Sequence, residues 1–366
     1  MWRSTVAFFV LSSSLVLFFS SLVVTQNTNC NSWGCLGEPV CEEGTILTPN
    51  VTLGNCCPGC VAYVDLNGNC ANGAKCKPGL ECLNGKCRVA AKGTCESYKF
   101  RDFLWVPKCE PDGSFSAVQC KGERLTGRCF CYSELGKRLF GQQWWSKAEN
   151  MTCACSRKIE ELKKKGRVDV TLHCTSDGNF DTLQCDSGIC WCADEKTGLT
   201  LGEVVPQPMI ELLPCYNKTV VGDSYVRKCD SAAYSLGVIR DEMNQHGTLG
   251  DLFVGKNCGY DGSYGEYQFE GGQYYCTWKD NSKIGSFMAG TVPVGGLDCY
   301  CAWDSRYFKE SGYGFTMQCA GSGSYITLQQ LEGQAMCVDR DGFAFKNATL
   351  VGEAYTCPTT PPPLYQ

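Results

Sequence analysis

The sequence contains few of the residues on which most catalytic and cofactor sites depend. Among 366 residues there are two histidines, His173 and His246, and there is no His-Glu-x-x-His motif or strand-linked phosphate loop. His173 precedes Cys174, so we expect it to pack beside a disulfide. His246 ends a predicted helix, where a positive charge interacts favourably with the helix dipole. We therefore expect no catalytic residue, no metal, no cofactor and no enzymatic activity.

Long apolar runs are scarce as well. Residues 1–25 carry one charge, Arg3, ahead of AFFVLSSSLVLFFSSLVV, which is typical of a secretory signal peptide removed near residue 25. A membrane anchor is the alternative, although serines interrupt the short run. Without Arg3, 33 − 1 = 32 basic residues face 38 acidic ones, a net charge of −6. This mild acidic excess argues against nucleic-acid binding, and we expect a secreted, extracellular protein without a membrane segment.

Cysteine, by contrast, is abundant, with 30 residues at a density that marks disulfide scaffolds. From Cys109 the chain reads CEPDGSFSAVQCKGERLTGRCFC, and the same skeleton returns from Cys174 as CTSDGNFDTLQCDSGICWC. Two incomplete copies begin at Cys258 and Cys319. In all four copies glycine lies four residues after the first cysteine, an aromatic residue six residues after it and glutamine ten residues after it. This periodicity predicts four tandem repeats.

The two incomplete copies have lost the same two cysteines. Phe269 and Gln330 stand where the complete copies have Cys120 and Cys185, and the first cysteine of each Cys-x-Cys is also replaced. Since an unpaired cysteine is a liability in an oxidising compartment, partners of one bridge should disappear together. A disulfide that closes a loop of about 6 residues stabilises the folded state by only roughly 2 kcal/mol, so the repeat can fold without this bridge. The paired loss predicts the bridges Cys120–Cys129 and Cys185–Cys190.

The Gln-Cys and Cys-x-Cys motifs resemble those of thyroglobulin type-1 repeats. The second copy carries Cys190-Trp191-Cys192, whereas the first has Phe130 at the tryptophan position. The resemblance implies small disulfide-rich modules, each with a short helix and a small antiparallel β-sheet, whose cysteines pair in consecutive order. The implied bridges are Cys95–Cys109, Cys120–Cys129, Cys131–Cys153, Cys155–Cys174, Cys185–Cys190, Cys192–Cys215, Cys229–Cys258, Cys276–Cys299, Cys301–Cys319 and Cys337–Cys357.

These motifs predict a chain of separate modules. Single residues, Ala154 and Tyr300, connect the repeats within two pairs, so each pair should be stiff. Duplication of a two-repeat unit would explain this pattern, as would independent loss of linker residues. The predicted domains are the signal peptide 1–25, a cysteine-rich amino-terminal module 30–87, repeat 1 (95–153), repeat 2 (155–215), repeat 3 (229–299), repeat 4 (301–357) and a disordered proline-rich tail 358–366.

The module 30–87 contains ten cysteines, too many for their pairing to be deduced from the sequence. Their order is similar to that of the amino-terminal domain of insulin-like growth factor binding proteins. It is also similar to that of small arthropod secreted protease inhibitors with a Cys-Cys-Pro core. Zinc binding by Cys57-x-x-Cys60 is a further alternative, which the export signal disfavours.

Each repeat should begin with a helix that leads into short strands. In repeat 2, Ser156 could cap the helix, Glu160 and Lys164 have the spacing of an i,i+4 ion pair, and Gly166 could end it. In repeat 3 the helix is expected over residues 230–246. Four glycosylation sequons accord with secretion. They begin at Asn50, Asn150, Asn217 and Asn347.

Two functional classes fit this organisation. The resemblance implies inhibition of papain-like (cathepsin-type) cysteine proteases by loops that wedge into the active-site cleft. A disulfide-ordered loop loses little entropy on docking. Matched by position, the inhibitory-loop residues are Leu104, Trp105, Val106, Thr126, Gly127 and Arg128 in repeat 1, and Arg167, Val168, Asp169, Asp186, Ser187 and Gly188 in repeat 2. For Trp105 and Val106, simple coverage of the core is the alternative.

The second class is a secreted protein that binds a growth factor or another protein ligand without inhibiting proteases. Growth factor binding proteins also join a cysteine-rich amino-terminal domain to a thyroglobulin type-1 repeat. An extracellular matrix glycoprotein is a third possibility. Only the first two repeats keep the middle of their three bridges, Cys120–Cys129 in repeat 1 and Cys185–Cys190 in repeat 2. The bridge pattern therefore places any inhibitory activity in residues 95–215 rather than 229–357.

Overall fold

The structure is a computed structural model, and it describes residues 39–42, 44–52, 56–71, 74–90, 95–100, 103–167, 169–222, 224–247, 255–290, 297–331, 333–351 and 354–357. The predicted signal peptide 1–25 and the predicted tail 358–366 lie outside the described residues. The chain divides into two compact units, Met1–Val64 with Gly73–Lys75 and Asp65–Asn72 with Cys76–Gln366. This division passes through the segment 30–87. Within the described ranges, no helix has the length and apolarity needed to span a bilayer.

The elements are short, as expected for disulfide-rich modules. The strands are β1 (Thr45–Thr52), β2 (Cys57–Ala62), β3 (Leu80–Leu83), β4 (Lys86–Val89), β5 (Val118–Lys121), β6 (Arg128–Tyr132), β7 (Arg138–Trp144), β8 (Leu183–Asp186), β9 (Ile189–Ala193), β10 (Thr200–Pro206), β11 (Tyr267–Glu270), β12 (Gln273–Thr277), β13 (Lys283–Ala289), β14 (Leu328–Leu331), β15 (Gln334–Val338), β16 (Ala344–Asn347), β17 (Thr349–Val351) and β18 (Ala354–Thr356). The α-helices are α1 (Ala154–Lys164), α2 (Lys218–Val221), α3 (Lys228–Gln245) and α4 (Tyr300–Glu310), and 3-10 helices span Cys95–Phe100, Trp145–Asn150 and Gln207–Leu212.

Disulfides hold the amino-terminal segment together in both units. In the first unit, β1 and β2 form an antiparallel hairpin, and Cys41 is bridged to Cys60. Cys57 is also disulfide-bonded. A cystine sulfur is not a thiolate ligand, so the zinc alternative for Cys57-x-x-Cys60 does not hold. In the second unit, the β3–β4 hairpin is fixed by the bridges Cys70–Cys82 and Cys76–Cys87.

The four predicted repeats contain four three-stranded antiparallel sheets of the same up-and-down topology. Their strand orders are β5-β6-β7, β8-β9-β10, β11-β12-β13 and β14-β15-β16. The ten bridges of residues 95–357 join the same cysteines that the sequence pairs. No free cysteine occurs among the described residues. Small cores of cystine, aromatic and aliphatic side chains pack beside each of these sheets in repeats 1 to 3.

The lost middle bridge leaves a cross-strand side-chain pair. In the complete repeats Cys120 lies opposite Cys129, and Cys185 lies opposite Cys190. The same register in repeat 3 places Phe269 opposite Tyr274, with ring centroids 4.8 Å apart. Contact between rings thus replaces a covalent link, and the sheet keeps its register.

The recurring glutamine ties each sheet to the segment before the second cysteine. The side-chain oxygen of Gln184 accepts a hydrogen bond from the His173 backbone N–H (3.0 Å), and its amide donates to the His173 and Asp181 carbonyls (both 2.7 Å). Gln329 makes the same three kinds of bond. Since both side chains are fully buried, these bonds satisfy backbone groups that water cannot reach.

The recurring glycine explains why the repeats associate in pairs. Gly178 has φ +84°, and a β-carbon there would overlap the Cys131 sulfur of the preceding repeat. Gly323 stands in the same relation to Cys276. Backbone bonds also repeat, from Gln142 N to Ser176 O and from Met288 N to Gly321 O, both 3.0 Å. Repeats 1 and 2 therefore pack against each other as repeats 3 and 4 do.

Helix α1 begins without the predicted serine cap. Its N-cap is Cys153 at φ 60°, so the helix starts one residue after the last cysteine of repeat 1. Ser156 lies inside the first turn, and its hydroxyl donates to the Phe140 carbonyl of repeat 1 (2.5 Å). The cap prediction was wrong because the serine bonds across the junction between repeats. Gly166 follows the helix at φ 84°, as a helix-ending glycine should.

The ion pairs of α1 differ from the predicted Glu160–Lys164 pair. Glu160 lies 3.6 Å from Lys137 of repeat 1, whereas Glu161 pairs with Lys158 and Lys165 at 3.1 and 2.5 Å. The prediction assumed that the helix is isolated. In the folded chain, the face carrying Glu160 is turned towards the neighbouring repeat.

The two histidines lie in different surroundings. His173 is buried, stacks on Tyr225 with ring centroids 4.4 Å apart, and places Nε2 2.9 Å from an Asp230 carboxylate oxygen. It therefore joins repeat 2 to the first turn of α3. His246 is the C-cap of α3 and lies 3.9 Å from Glu242.

Candidate functional site

The two predicted loops of repeat 2 meet at one side of its sheet. We call residues 167–169 and 186–188 the repeat 2 edge. Arg167 donates from Nε to Asp169 (2.9 Å), from Nη1 to Asp186 (3.1 Å) and from Nη2 to the Ser187 hydroxyl (3.3 Å). One guanidinium therefore bridges the loop before Cys174 and the turn of the β8–β9 hairpin. Val168 lies outside the described residues.

Local backbone geometry explains the position of this edge. Ser187 and Gly188 have φ values of 53° and 80°, which is the left-handed pair of a two-residue hairpin turn. The Cys185–Cys190 bridge spans that hairpin directly behind the turn. On the other loop, the Thr171 hydroxyl donates to the Cys185 carbonyl (2.8 Å). Both loops are thus tied to the same cystine.

The repeat 2 edge is exposed and charged. Asp169, Ser187 and Gly188 are exposed, while Arg167 and Asp186 are half-buried. Hydrogen bonds to Asp169 and then Asp186 raise the pKa of Arg167, and the bond from Arg167 lowers the pKa of Asp169. Both shifts favour the charged forms of Arg167 and Asp169. Among the described residues, all hydrogen bonds of this edge remain within repeat 2.

The corresponding loops of repeat 1 are only partly free. We call residues 104–106 and 126–128 the repeat 1 edge. Leu104 and Val106 are 59% and 47% exposed, but Trp105 packs on the core, where its indole N–H donates to the Cys120 carbonyl (2.9 Å). For Trp105 the structure thus favours the alternative of core coverage.

The second loop of repeat 1 turns towards repeat 4. Thr126 is exposed and Gly127 is buried. Arg128 is 2% exposed, and its Nη1 and Nη2 donate to the two carboxylate oxygens of Asp304 at 2.5 and 2.6 Å. A residue predicted to contact a protease therefore forms a bidentate ion pair inside the molecule.

Further buried charges lie beside Arg128, and sequence analysis did not identify them. Lys121 donates to Asp339 and Asp341 at 2.5 and 2.6 Å, and Arg138 donates to Asp341 at 2.8 Å. The Tyr132 hydroxyl also donates to Asp341. These partners are more than 200 residues apart in sequence, so no local pattern could have paired them. The Asp-x-Asp spacing of 339 and 341 was the only available signal.

The described sequons are accessible. Asn150, Asn217 and Asn347 are all exposed. Asn150 accepts a bond from Lys196 (2.9 Å), and Asn217 caps α2 by accepting from the Thr219 N–H (3.0 Å). Asn50 lies in strand β1, and its side chain is outside the described part of the chain.

Comparison with known proteins identifies the modules. The model of the thyroglobulin type-1 repeat matches residues 86–153 and 154–206. The chain is 30% identical to equistatin of Actinia equina over 150 residues, which is 38% of this chain and 64% of equistatin. It is 30% identical to human thyroglobulin over 124 residues, covering 32% of this chain and 4% of thyroglobulin. With mouse SPARC-related modular calcium-binding protein 1 it shares 28% identity over 182 residues, or 44% and 37% of the two chains.

The chain thus spans less than two thirds of each of these relatives. The resemblance stated from the Gln-Cys and Cys-x-Cys motifs is confirmed, and so is the fold class of small disulfide-rich modules with short helices and small antiparallel sheets. Residues 86–206 of this chain are therefore two tandem thyroglobulin type-1 repeats.

Proposed function

We propose that this protein is a secreted inhibitor of papain-like cysteine proteases that inserts the repeat 2 edge into the active-site cleft and catalyses no reaction. The observation that carries the proposal is the set of hydrogen bonds from Arg167 to Asp169, Asp186 and Ser187, which we call the Arg167 clamp. It holds both predicted loops together at an exposed surface. The family resemblance supports the target class, and the similarity to equistatin extends over 64% of that protein's length.

The clamp suits an inhibitor for an entropic reason. A loop that is ordered before binding loses little conformational freedom when it docks. In repeat 2 the cystine Cys185–Cys190, the bonds of Thr171 and the guanidinium of Arg167 fix the loops in advance. A loop held in this way also resists cleavage, because it cannot relax away from the protease after a cut.

The third and fourth repeats lack this combination. Their hairpins have no middle bridge, and the register places Gln330 opposite Ala335 in repeat 4. The packing of Phe269 on Tyr274 supports the hairpin of repeat 3 but does not cross-link it. The proposal therefore keeps the inhibitory activity within residues 95–215.

The proposal is tested by titrating the purified protein against active-site-titrated papain. We expect tight inhibition by the wild type and about tenfold weaker inhibition by Arg167→Ala, because the freed loops must be ordered on binding. The matched control is Arg240→Ala, which removes an exposed arginine that pairs with Asp241 on α3. It should inhibit as the wild type does.

A protein that leaves papain fully active would contradict the proposal. That result would favour the second class, binding of a secreted protein ligand without inhibition. The order of the modules, a cysteine-rich amino-terminal segment followed by thyroglobulin type-1 repeats, supports this alternative. Secretion is tested separately by sequencing the amino terminus of the exported protein, which should begin near residue 26.

A further inference from the structure

Repeat 4 lies against one flank of the repeat 1 edge. The Leu104 backbone N–H donates to the Phe345 carbonyl (2.8 Å). Gly122, in the turn between β5 and β6, approaches the Phe343 ring so closely that a β-carbon at Gly122 would lie 2.7 Å from it. The segment 343–345 therefore contacts both the loop that carries Leu104 and the β5–β6 loop that carries residues 126–128.

The contact is reinforced at the base of the loops. Phe103 meets Phe345, and Phe130 meets Phe343, each edge to face with centroids about 6 Å apart: 5.9 and 6.0 Å. Trp144 of repeat 1 packs among aromatic side chains of α4 and the following segment. These are Tyr307, Phe308 and Tyr313, with centroid distances of 5.6, 5.1 and 4.8 Å.

The charges of the two surfaces are complementary. Repeat 1 supplies two buried cations and a third that is 9% exposed, and repeat 4 supplies three buried carboxylates, so the charges balance inside the contact. Buried charges must be paired to be tolerated, and matched charges specify one partner over others. The cations are Lys121, Arg128 and Arg138, and the carboxylates are Asp304, Asp339 and Asp341.

We propose that repeat 4 is the intramolecular partner of repeat 1 and covers its inhibitory edge, so that each chain binds one protease molecule, at repeat 2. This inference rests on the proposed function. A wedge can enter a cleft only when both of its flanks are free for the two walls. The repeat 1 edge keeps exposed side chains at Leu104 and Val106, and the adjacent Leu125 is exposed as well, but the segment 343–345 occupies one flank.

Repeat 2 has no such cover in the described part of the chain. A β-carbon added at Gly188 would meet no heavy atom within 4 Å, in contrast to Gly122. Ile189, next to the turn, is 46% exposed. The two complete repeats therefore differ in access, although their bridges are the same.

The experiment measures how many papain molecules the full-length protein binds. Size-exclusion chromatography with light scattering, in excess papain, should give one protease per chain. Ile189→Glu, directly beside the repeat 2 edge, should weaken inhibition at least tenfold, and the matched Leu104→Glu at the repeat 1 edge should change it less than twofold. Both positions are exposed, so neither change disturbs the core. Two proteases per chain, or a loss of inhibition confined to Leu104→Glu, would overturn the inference.

The contact itself is tested without a protease. Acetylation by an N-hydroxysuccinimide ester should spare Lys121, which is fully buried against Asp339 and Asp341, and modify Lys137, whose side chain is 70% exposed. Equal reactivity of the two lysines would contradict the inference that repeat 4 covers this surface of repeat 1. A protein that binds no papain but protects Lys121 would contradict the proposed function and leave the cover by repeat 4 intact.

Discussion

Arg128 shows how a single side chain can have a different role in otherwise similar repeats. Its guanidinium lies 5.0 Å from the Phe130 ring and 5.2 Å from the Phe308 ring, in addition to its bidentate bonds with Asp304. The Tyr325 hydroxyl donates to the same carboxylate (2.6 Å). Such a pair is stable only while both charges are present, because either one alone would remain buried without compensation.

Removing one member of this pair should therefore cost more than removing both. We expect Asp304→Ala to lower the free energy of unfolding by about 3 to 5 kcal/mol, since it leaves Arg128 unpaired. The double variant Arg128→Met with Asp304→Leu should lose less than Asp304→Ala alone, because apolar side chains of similar size fill the space. Denaturant unfolding of Asp304→Ala, of the single variants Arg128→Met and Asp304→Leu, and of their double variant measures this. Strictly additive losses would contradict the described pairing.

Some residue roles could be predicted from the sequence and others could not. The cysteine pairs followed from motifs within each repeat, and Arg167 and Asp186 were placed in the repeat 2 edge by position. The burial of Arg128 could not be foreseen, since its partner Asp304 is 176 residues away. Sequence patterns report on local periodicity, whereas this burial depends on how distant modules pack.

At the scale of elements, the junction within each pair is set by a glycine against a cystine. The helix of the second repeat starts immediately after the final cysteine of the first repeat, at Ala154 and at Tyr300. The stiff pairs expected from single-residue connections thus have a structural counterpart. The predicted helix over 230–246 corresponds to α3, Lys228–Gln245. The predicted Ser156 cap was wrong because contact between repeats overrides local capping.

Substitution of two glycines with the same backbone conformation distinguishes the cost of tight packing at the junction from the cost of backbone strain. Gly178 and Gly113 have φ values of 84° and 83°, but only Gly178 lies against a sulfur, that of Cys131. We expect Gly113→Ala to cost roughly 1 to 2 kcal/mol from the left-handed conformation alone. Gly178→Ala should add about 1 to 3 kcal/mol from overpacking.

Thermal and denaturant unfolding of Gly178→Ala and Gly113→Ala would measure the difference. Gly323→Ala should resemble Gly178→Ala, because Gly323 lies against the Cys276 sulfur. Equal losses of stability in all three variants would show that the close packing of Gly178 and Gly323 against the cystine sulfurs contributes nothing to stability.

At the scale of the whole molecule, the charges between repeats 1 and 4 make stability depend on pH. Burial alone would raise the pKa of Asp341, but Lys121 and Arg138 outweigh burial and hold that pKa well below its ordinary value. An unfolded chain has aspartate pKa values of about 3.9. At Asp341 the unfolded state therefore binds more protons below about pH 5, so the stability that this residue contributes falls as the pH falls. Burial raises the pKa of the neighbouring Asp339, which acts in the opposite sense, so the effect of Asp341 is measured as a difference between variants.

We accordingly expect the melting temperature of the wild type to drop between pH 5 and pH 3. Asp341→Asn should be less stable than the wild type at pH 7, yet its melting temperature should fall less over the acidic range, because the amide does not titrate. Asp241→Asn, at an exposed aspartate of α3, should follow the wild type. Parallel pH profiles of the wild type and Asp341→Asn would contradict the arrangement around Asp341.

The long sequence separation of the contact between repeats 1 and 4 determines when it can form during synthesis. Lys121 and Asp341 are 220 residues apart, which corresponds to about 10 to 40 s of translation. Throughout that interval the three cations of repeat 1 remain hydrated, while the local bridges of each repeat can already close. Closing so long a loop adds little entropy cost, since that cost grows only with the logarithm of length. A nascent chain consequently displays the repeat 1 edge uncovered until its last repeat has folded.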